Sequence, residues 1–598
     1  MIKLRIIILF TFLISVNADD LKVITSSGIT EGFINKNVIN WNDIPYAQPP
    51  INDLRWKAPR KIQQSSNLIL PKNNNFCLQR TSSLGGSSQF SDDLISGSED
   101  CLYLDIYAPS KISKELLPVM FWIHGGGNTS GLKDLYDFTK LVKKHEVIVV
   151  TINYRLGPLG WFTHPAVQSL QDGLDKTSNF GTLDIISALE WVNKNIELFG
   201  GDSENITIFG ESAGGHNVLS LLVSKKARGL FHKAISMSGY TESISLEDAY
   251  KQKNKSSTSN YSSWEVVNNI IENKLNNDEQ DKYSKKELRE ILYSLSGKEF
   301  YQFYAERENF EELPLLTNDE IVIPSIGLKE ALSKEDYVNI VPTIAGSTRD
   351  EVKIWLAFSE YFVTVDYSGT GSLFDIPKVI LNDRDAFEAF NYYRSNAWKI
   401  RGVNEPLNSL LKAGNSKLYS YRFDWDDHRK FLIADFRQLF GAGHALEIPL
   451  LTGSTKLVGG PPVSNFMYPK GRSHFYTSRN MMKFWTNFAK YGQPGYSTNN
   501  IKWELYNLDE NNFSSFMVID KKKNLKMSSD SISFKGLAEM IYTDNRLNEI
   551  EKCVVLYQMF TYVGNDIYDQ NMNKYPGNCN RKVSEDFIIN NAGVIDYD

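Results

Sequence analysis

Cysteine is scarce in this chain, with four among 598 residues: Cys77, Cys101, Cys553 and Cys579. That excludes a disulfide-dense scaffold, in which many bridges replace a hydrophobic core. Positive charge is not in surplus either. The net charge is −6, and the one basic run, Lys521-Lys522-Lys523 with Lys526, is broken by Asn and Leu and reads as a solvated loop. A nucleic-acid binder would concentrate its cations on one stripe. Beyond the N-terminus no apolar stretch approaches the roughly 20 residues that a membrane span needs. The eight histidines show no His-Glu-x-x-His ligand spacing, so no metal or organic cofactor is expected. There is no internal repeat.

What remains is ordinary globular composition, 42% hydrophobic, 23% charged and 12% aromatic, enough for a large core. The first 18 residues read as a secretory leader: Lys3 and Arg5, an apolar Ile6 to Ile14 interrupted by Thr11, then small residues at Val16-Asn17-Ala18. The mature protein is therefore expected to begin near Asp19 and to be soluble outside the cell or in a secretory-vesicle lumen. The C-terminal residues carry neither a lipid-anchor tail nor a retention signal. Four cysteines in an oxidising compartment suggest two disulfides, and three pairings exist. The two local pairings are the simplest, each closing a loop of about 25 residues for about 3 kcal/mol on a chain-entropy argument. Sequons stand at Asn128, Asn205, Asn254, Asn260 and Asn512. Asn254, Asn260 and Asn512 are the expected glycan sites, whereas Asn205 opens a probable core strand and Asn128 follows a glycine run near the chemistry.

Buried-strand runs alternate with helical stretches. Pro118–Ile123, Val147–Ile152, Ile340–Ala345 and Leu418–Phe423 read as strands; Ser187–Ile196 and Arg479–Tyr491 have helical spacing. Such alternation predicts an α/β fold, a large and mainly parallel central sheet flanked by helices. Residues from about 243 to 290, rich in Lys, Asn, Ser and Glu, read as a polar surface insertion, helical near Lys285–Leu295. The strand pattern resumes after it, so residues 19–598 read as one domain. Helices expected between Leu537 and Tyr562 could pack between subunits.

Gly210-Glu211-Ser212-Ala213-Gly214 follows the strand-like Ile206–Phe209 and precedes a helical stretch. A strand, a sharp turn and a helix around Gly-x-Ser-x-Gly are the setting in which a serine hydroxyl is exposed for attack. Flanking glycines relieve the crowding of so tight a turn. His124-Gly125-Gly126-Gly127 comes after another buried strand. A glycine run there lets backbone N–H groups face a developing oxyanion. For the base, His444 lies in the glycine-bearing loop Gly441-Ala442-Gly443-His444. Its rival His216 sits four residues after Ser212 on the same helix, where alignment with a serine at a strained turn is difficult. Glu351, after the expected strand near Ala345, is the candidate orienting acid, with Asp350 as its competitor. Glu211, beside the serine, could tune the site or serve structure alone.

Ordered motifs along nearly all of the mature chain resemble the type-B carboxylesterase family, which includes cholinesterases, fungal lipases and bacterial carboxylesterases. They are Ile44-Pro45-Tyr46-Ala47-Gln48-Pro49-Pro50 with Leu54-Arg55-Trp56, Ser98–Asp105, Asn153-Tyr154-Arg155-Leu156-Gly157, Phe199-Gly200-Gly201-Asp202, the Ser212 turn, Ser236-Met237-Ser238-Gly239, Arg349-Asp350-Glu351 and Gly443–Glu447. The resemblance implies an α/β-hydrolase fold, Ser212 as nucleophile, His444 as base and Glu351 as acid. It implies oxyanion donors from Gly126, Gly127 and Ala213, a Cys77–Cys101 disulfide, and ion pairs Arg55–Glu99 and Arg155–Asp184. Cys553 and Cys579 do not match the inter-element bridge of cholinesterases, and the resemblance leaves their pairing open.

The departures narrow the expectation. Leu78–Asp100 contains no Trp, the residue with which cholinesterases hold a quaternary ammonium; Phe90 is its only aromatic. That loop is also shorter than the lid of the fungal lipases. Ile185 and Asn128 stand where the family usually has Gln and an aromatic or Ala. The expected protein is a secreted serine esterase acting on a small-molecule ester through an acyl-enzyme. Its rivals are a non-catalytic binding or adhesion protein on the same fold and a vesicle storage protein.

Overall fold

The computed structural model describes residues 21–560 and 580–591, apart from 64, 73–74, 86–93, 112–114, 251–261, 276–278, 306–315, 367–377 and 432–433. The expected leader, the sequons at Asn254 and Asn260, Cys579 and Phe90 lie outside the described residues.

Eleven strands form one sheet: β1 (Phe33–Asn35), β2 (Val38–Pro45), β3 (Tyr103–Pro109), β4 (Leu117–Ile123), β5 (Ile148–Ile152), β6 (Gly201–Glu211), β7 (Lys233–Met237), β8 (Thr343–Thr348), β9 (Leu418–Phe423), β10 (Ser514–Ile519) and β11 (Lys526–Asp530). Their order across the sheet is β11-β10-β9-β8-β7-β6-β4-β5-β3-β2-β1. Strands β10 through β5 in that order pair in parallel, and the antiparallel pairings lie toward the two edges. Around the sheet lie α1 (Phe180–Asn195), α2 (Ala213–Val223), α3 (Ser263–Lys274), α4 (Lys285–Ser294), α5 (Gly297–Ala305), α6 (Arg384–Lys399) and α7 (Arg472–Tyr491), with shorter helices between them.

Strand β4 shows why the central runs are continuously apolar. Val119, Phe121 and Ile123 join the core with Leu183 and Leu189 of α1 and Leu219 and Leu222 of α2. Met120 and Trp122 join the opposite core with Met481, Phe484 and Trp485 of α7. Successive side chains point to opposite faces, and both faces are covered. Ile185, at the position where family members usually carry Gln, packs fully buried in the first of these cores.

Sequence and structure agree for β9 and, within a residue, for β4, β5 and α4. Strand β8 starts three residues later than read and runs on to Thr348, in register with β9 from Thr343↔Leu418 to Thr348↔Phe423. Pro342 has no N–H for the ladder, so pairing begins after it. Helices α1 and α7 each begin seven residues before the spacing alone marked them. The C-terminal helical region is two helices, Phe534–Thr543 and Glu549–Phe560. In the polar segment, α3 and α4 turn Val266, Val267, Ile270, Ile271, Leu288 and Leu292 onto a satellite core with Trp56, Phe162 and Phe300. Among the described residues no helix is long and apolar enough to cross a membrane.

Candidate active site

Strand β6 ends at Glu211 and α2 begins at Ala213, which leaves Ser212 alone in the turn at φ 58° and ψ −125°. A left-handed conformation at a non-glycine residue costs on the order of 1–3 kcal/mol and persists where its surroundings enforce it. Here they do. The Ser212 N–H donates to Met237 O of β7 (2.9 Å), and the His216 N–H donates to Ser212 O (2.9 Å). A Cβ on Gly214 would stand 2.1 Å from Ile123 O, so only glycine lets the turn pack against the end of β4.

From that end of β4 the chain runs into His124–Gly131. Gly126 and Gly127 take φ 104° and 60°. A Cβ on Gly125 would lie 2.6 Å from Glu211 O and 3.0 Å from Ser212 Cβ, so the loop reaches the serine only because that position has no side chain. Among the described residues the N–H groups of Gly126, Gly127 and Ala213 have no protein acceptor. Unpaired N–H groups on two segments that meet beside a serine are what an oxyanion site needs. His124 stacks on Tyr154 with ring centroids 4.4 Å apart. Burial lowers its pKa to about 4, so it is a neutral packing residue.

Across the cleft, Glu351 follows β8 and is fully buried. Its carboxylate accepts from Thr348 N–H (2.6 Å), from the Ser238 hydroxyl (2.7 Å) and from His444 Nδ1–H (2.6 Å). Its competitor Asp350 faces away. Asp350 pairs with Arg349 and accepts from Asn391 Nδ2 and Ala442 N–H. Burial alone would raise its pKa, but Arg349 and Lys353 outweigh it and hold the carboxyl at about 2. Asp350 thus fastens the loop that carries His444, and Glu351 orients the ring.

The His444 imidazole packs against Trp355 and Trp398, ring centroids 4.8 and 4.9 Å away, and the two indoles stack on each other at 5.7 Å. Its Nε2 lies 3.1 Å from Glu211 Oε1. Burial works against the charged ring, yet Glu211, Glu351 and Glu447 outweigh it and raise the pKa to about 9. Burial likewise raises Glu211 to about 7, with His444 opposing and Glu351 reinforcing the rise. Glu447, fully buried and with no side-chain hydrogen-bond partner among the described residues, is pushed well above the usual range by burial and by the neighbouring carboxylates. Among the described residues the Ser212 hydroxyl has no hydrogen-bond partner. The ring is already fixed from its far side, and catalytic bonds on the near side commonly tighten only once substrate binds.

The rival His216 is turned away from the serine. Its Nε2 lies 2.9 Å from Glu242 O, its ring packs against Tyr240 at 4.3 Å, and burial lowers its pKa to about 3. Motif reading missed the roles of Ser238, Trp355, Trp398 and Glu447. Ser238 and Glu447 stand within recognised motifs, but nothing local assigns them a partner; the two tryptophans carry no motif at all.

The supporting features are also in place. Cys77 and Cys101 are bonded. Arg55 donates to Glu99 (2.6 and 2.8 Å) and Arg155 to Asp184 (both 2.7 Å). Asn128 is fully buried, which leaves its sequon no room for a glycan, whereas Asn512 lies in an exposed turn. Among the described residues no group of three or more His, Cys, Asp or Glu side chains is placed to hold a metal ion.

The family model described as the carboxylesterase family matches residues 19–371 and 388–535. The chain is 32% identical over 501 residues to the para-nitrobenzyl esterase of Bacillus subtilis (strain 168), covering 81% of this chain and 92% of that protein. It is 29% identical to liver carboxylesterase 1F of Rattus norvegicus, over 79% of this chain and 84% of that one. A solved thermophilic PNB esterase superposes with a TM-score of 0.63 at 27% identity, covering 86% of this chain and 99% of the other. The sheet order, the serine turn and the matches along the chain agree: this is an α/β-hydrolase and a carboxylic ester hydrolase, and the chain belongs to the carboxylesterase family.

Proposed function

We propose that the protein is a secreted serine esterase in which Ser212, His444 and Glu351 form the catalytic triad. The observation that carries this reading is the buried bond from His444 Nδ1–H to Glu351 (2.6 Å), opposite a serine held in a strained turn beside three unoccupied N–H donors. Neutral His444 takes the proton of Ser212 as its oxygen attacks the ester carbonyl. The amides of Gly126, Gly127 and Ala213 receive the negative oxygen. His444 then protonates the leaving alcohol, which departs and leaves an acyl-serine. Water enters by the same route, its proton passing to His444, and the acid is released as Ser212 regains its proton. Glu351 holds the ring in the tautomer whose Nε2 faces the reaction and supports the imidazolium that forms.

The leader-like residues 1–18, the Cys77–Cys101 bridge and the exposed Asn512 sequon support export and glycosylation. The absence of Trp from Leu78–Asp100 argues for uncharged esters over choline esters. The test is hydrolysis of p-nitrophenyl esters of increasing chain length by wild type and Ser212→Ala, with acetylthiocholine alongside. Turnover that depends on Ser212 is expected, with a chain-length optimum that sizes the acyl pocket and little activity on the cationic ester. Folded wild type without turnover would end the reading.

A further inference from the structure

We propose that Asn128 is a positioning residue for the oxyanion hole, tying the loop that carries the Gly126 and Gly127 amides to the helix that carries the Ala213 amide; the proposal rests on the triad reading above. An oxyanion hole made from two chain segments faces a registration problem. Donors must sit about 2.7–3.1 Å from one oxygen, and errors of about 1 Å cost up to about a hundredfold in rate. Two donors here belong to the loop after β4 and the third to the first residue of α2. Something must fix one segment against the other.

Asn128 follows Gly127 directly and takes φ 58°, a conformation that Asn tolerates better than most side chains. It is fully buried. Its Oδ1 accepts from Asn217 Nδ2 at 2.8 Å. Asn217, also fully buried, lies four residues after Ala213 on α2, one turn along the same helical face. The bond therefore joins the two oxyanion segments within a turn of their donors. Tyr154 is the other neighbour of Asn128 Oδ1, at 3.3 Å, but its single hydroxyl proton has a shorter acceptor in His124 O at 2.7 Å. Asn217 is thus the firm partner. The Asn128 carbonyl is held in turn by the Gly157 N–H at 2.7 Å.

The amides are poorly used for stability. Among the described residues, Asn128 Nδ2 and Asn217 Oδ1 are both buried without a partner, an arrangement that costs stability at each group. A pair kept for packing alone would be served better by apolar side chains. A pair kept to join the loop to the helix, with the Tyr154 hydroxyl beside both amides, fits what is seen.

The test compares Asn128→Ala, Asn217→Ala and the double variant with wild type, after circular dichroism and gel filtration confirm folding. Two quantities are read: kcat and KM on a p-nitrophenyl ester, and Ki for a trifluoromethyl ketone. That inhibitor accepts Ser212 Oγ at its carbonyl carbon, its oxygen becomes the oxyanion, and the serine proton passes to His444. Each single variant is expected to lose about tenfold or more in kcat with KM within about twofold, and Ki should rise by the same factor as kcat falls. The double variant should be no worse than the poorer single one, because both remove one bond. If Asn128→Ala does not fold, Asn217→Ala breaks the same bond from the other side. Unchanged kcat and Ki, or a double variant that loses the product of the two factors, would overturn the positioning role while leaving the esterase reading intact. A wild type without Ser212-dependent turnover would instead overturn that reading, and this proposal with it.

Discussion

In the loop Ile123–Gly131 and the turn Gly210–Gly214 the site is made of backbone around one serine; between Thr348 and Glu447 it is made of side chains. The first region works by what it lacks. Gly125, Gly126 and Gly214 leave room for close approach, and the Gly126, Gly127 and Ala213 N–H groups have no acceptor among the described residues. The second works by saturation. Glu351 accepts three hydrogen bonds, Asp350 is tied to Arg349, Asn391 and Ala442, and His444 is packed against a stacked pair of indoles. On the proposed mechanism, one region waits for charge to arrive during the reaction. The other already holds charge and spends its contacts keeping a ring aligned. Damage to the first should therefore appear as lost transition-state binding, and damage to the second as lost or displaced proton transfer.

The bluntest way to test that division is to remove the atoms that react. Ser212→Ala and His444→Ala should each lower kcat by about 10⁴-fold or more, with only the residual catalysis of the oxyanion amides left over background. Steady-state hydrolysis of a p-nitrophenyl ester measures it, and a loss of only a few-fold for either variant would remove that residue from the triad. Glu351→Gln is milder. The amide keeps the shape but can present N–H to the ring and favour the wrong tautomer, so kcat should fall about 10²- to 10⁴-fold at nearly unchanged KM. Equal activity in Glu351→Gln and a large loss in Asp350→Asn would reverse the assignment of the two carboxylates.

Glu211 belongs to both regions, because it ends β6 beside the serine and lies 3.1 Å from His444 Nε2. Its charge is one of those that raise the His444 pKa to about 9. Only the neutral ring can act as base, so kcat/KM should rise with pH through that raised pKa. Glu211→Gln removes the anion, favours the neutral ring and should shift the acid limb to lower pH by about one unit or more. The pH profile of kcat/KM decides: a limb that stays in place or moves upward would show that Glu211 does not set the protonation of the base.

How much of this was legible in the sequence follows the same division. The serine turn and the glycine loop are local constructions, and their residues are adjacent in the chain, so Gly210–Gly214 and His124–Gly127 announced themselves. The parallel sheet was legible because strands covered on both faces are uniformly apolar. The acid–base side is assembled from segments about a hundred residues apart in sequence. Loop context nominated His444 and Glu351, and the resemblance chose them over His216 and Asp350, but neither supplied their company. Ser238 lay in a motif without a visible partner, Trp398 sits toward the end of an amphipathic helix like any core aromatic, and Glu447 reads as an ordinary surface acid until its burial is seen. Strand β8 was misplaced at its start for a simpler reason: apolar character begins before Pro342, but the hydrogen-bonded ladder does not.

Ser238 offers the smallest and most discriminating change. Its hydroxyl donates to Glu351 Oε1 (2.7 Å), and its carbonyl accepts from Trp398 Nε1–H (3.1 Å), so it sits between an indole that packs on His444 and the acid that orients it. Ser238→Ala removes one of three donors to a buried carboxylate and leaves the other two. A hydrogen bond to a charged group is worth about 1.5–3 kcal/mol, and the remaining donors should absorb part of the loss, so kcat should fall about tenfold. Because the lost bond acts on the acid and not on the oxyanion amides, the inhibition constant for a trifluoromethyl ketone should worsen less than that of Asn128→Ala at matched loss of kcat. Its pH profile should change as well: the Glu351 carboxylate, with one donor fewer, holds the imidazolium more strongly, which moves the acid limb of kcat/KM upward. A Ser238→Ala variant with an unshifted limb and a weakened ketone affinity would mean that the two regions are not separable and that the acid side also sets the geometry of the amides.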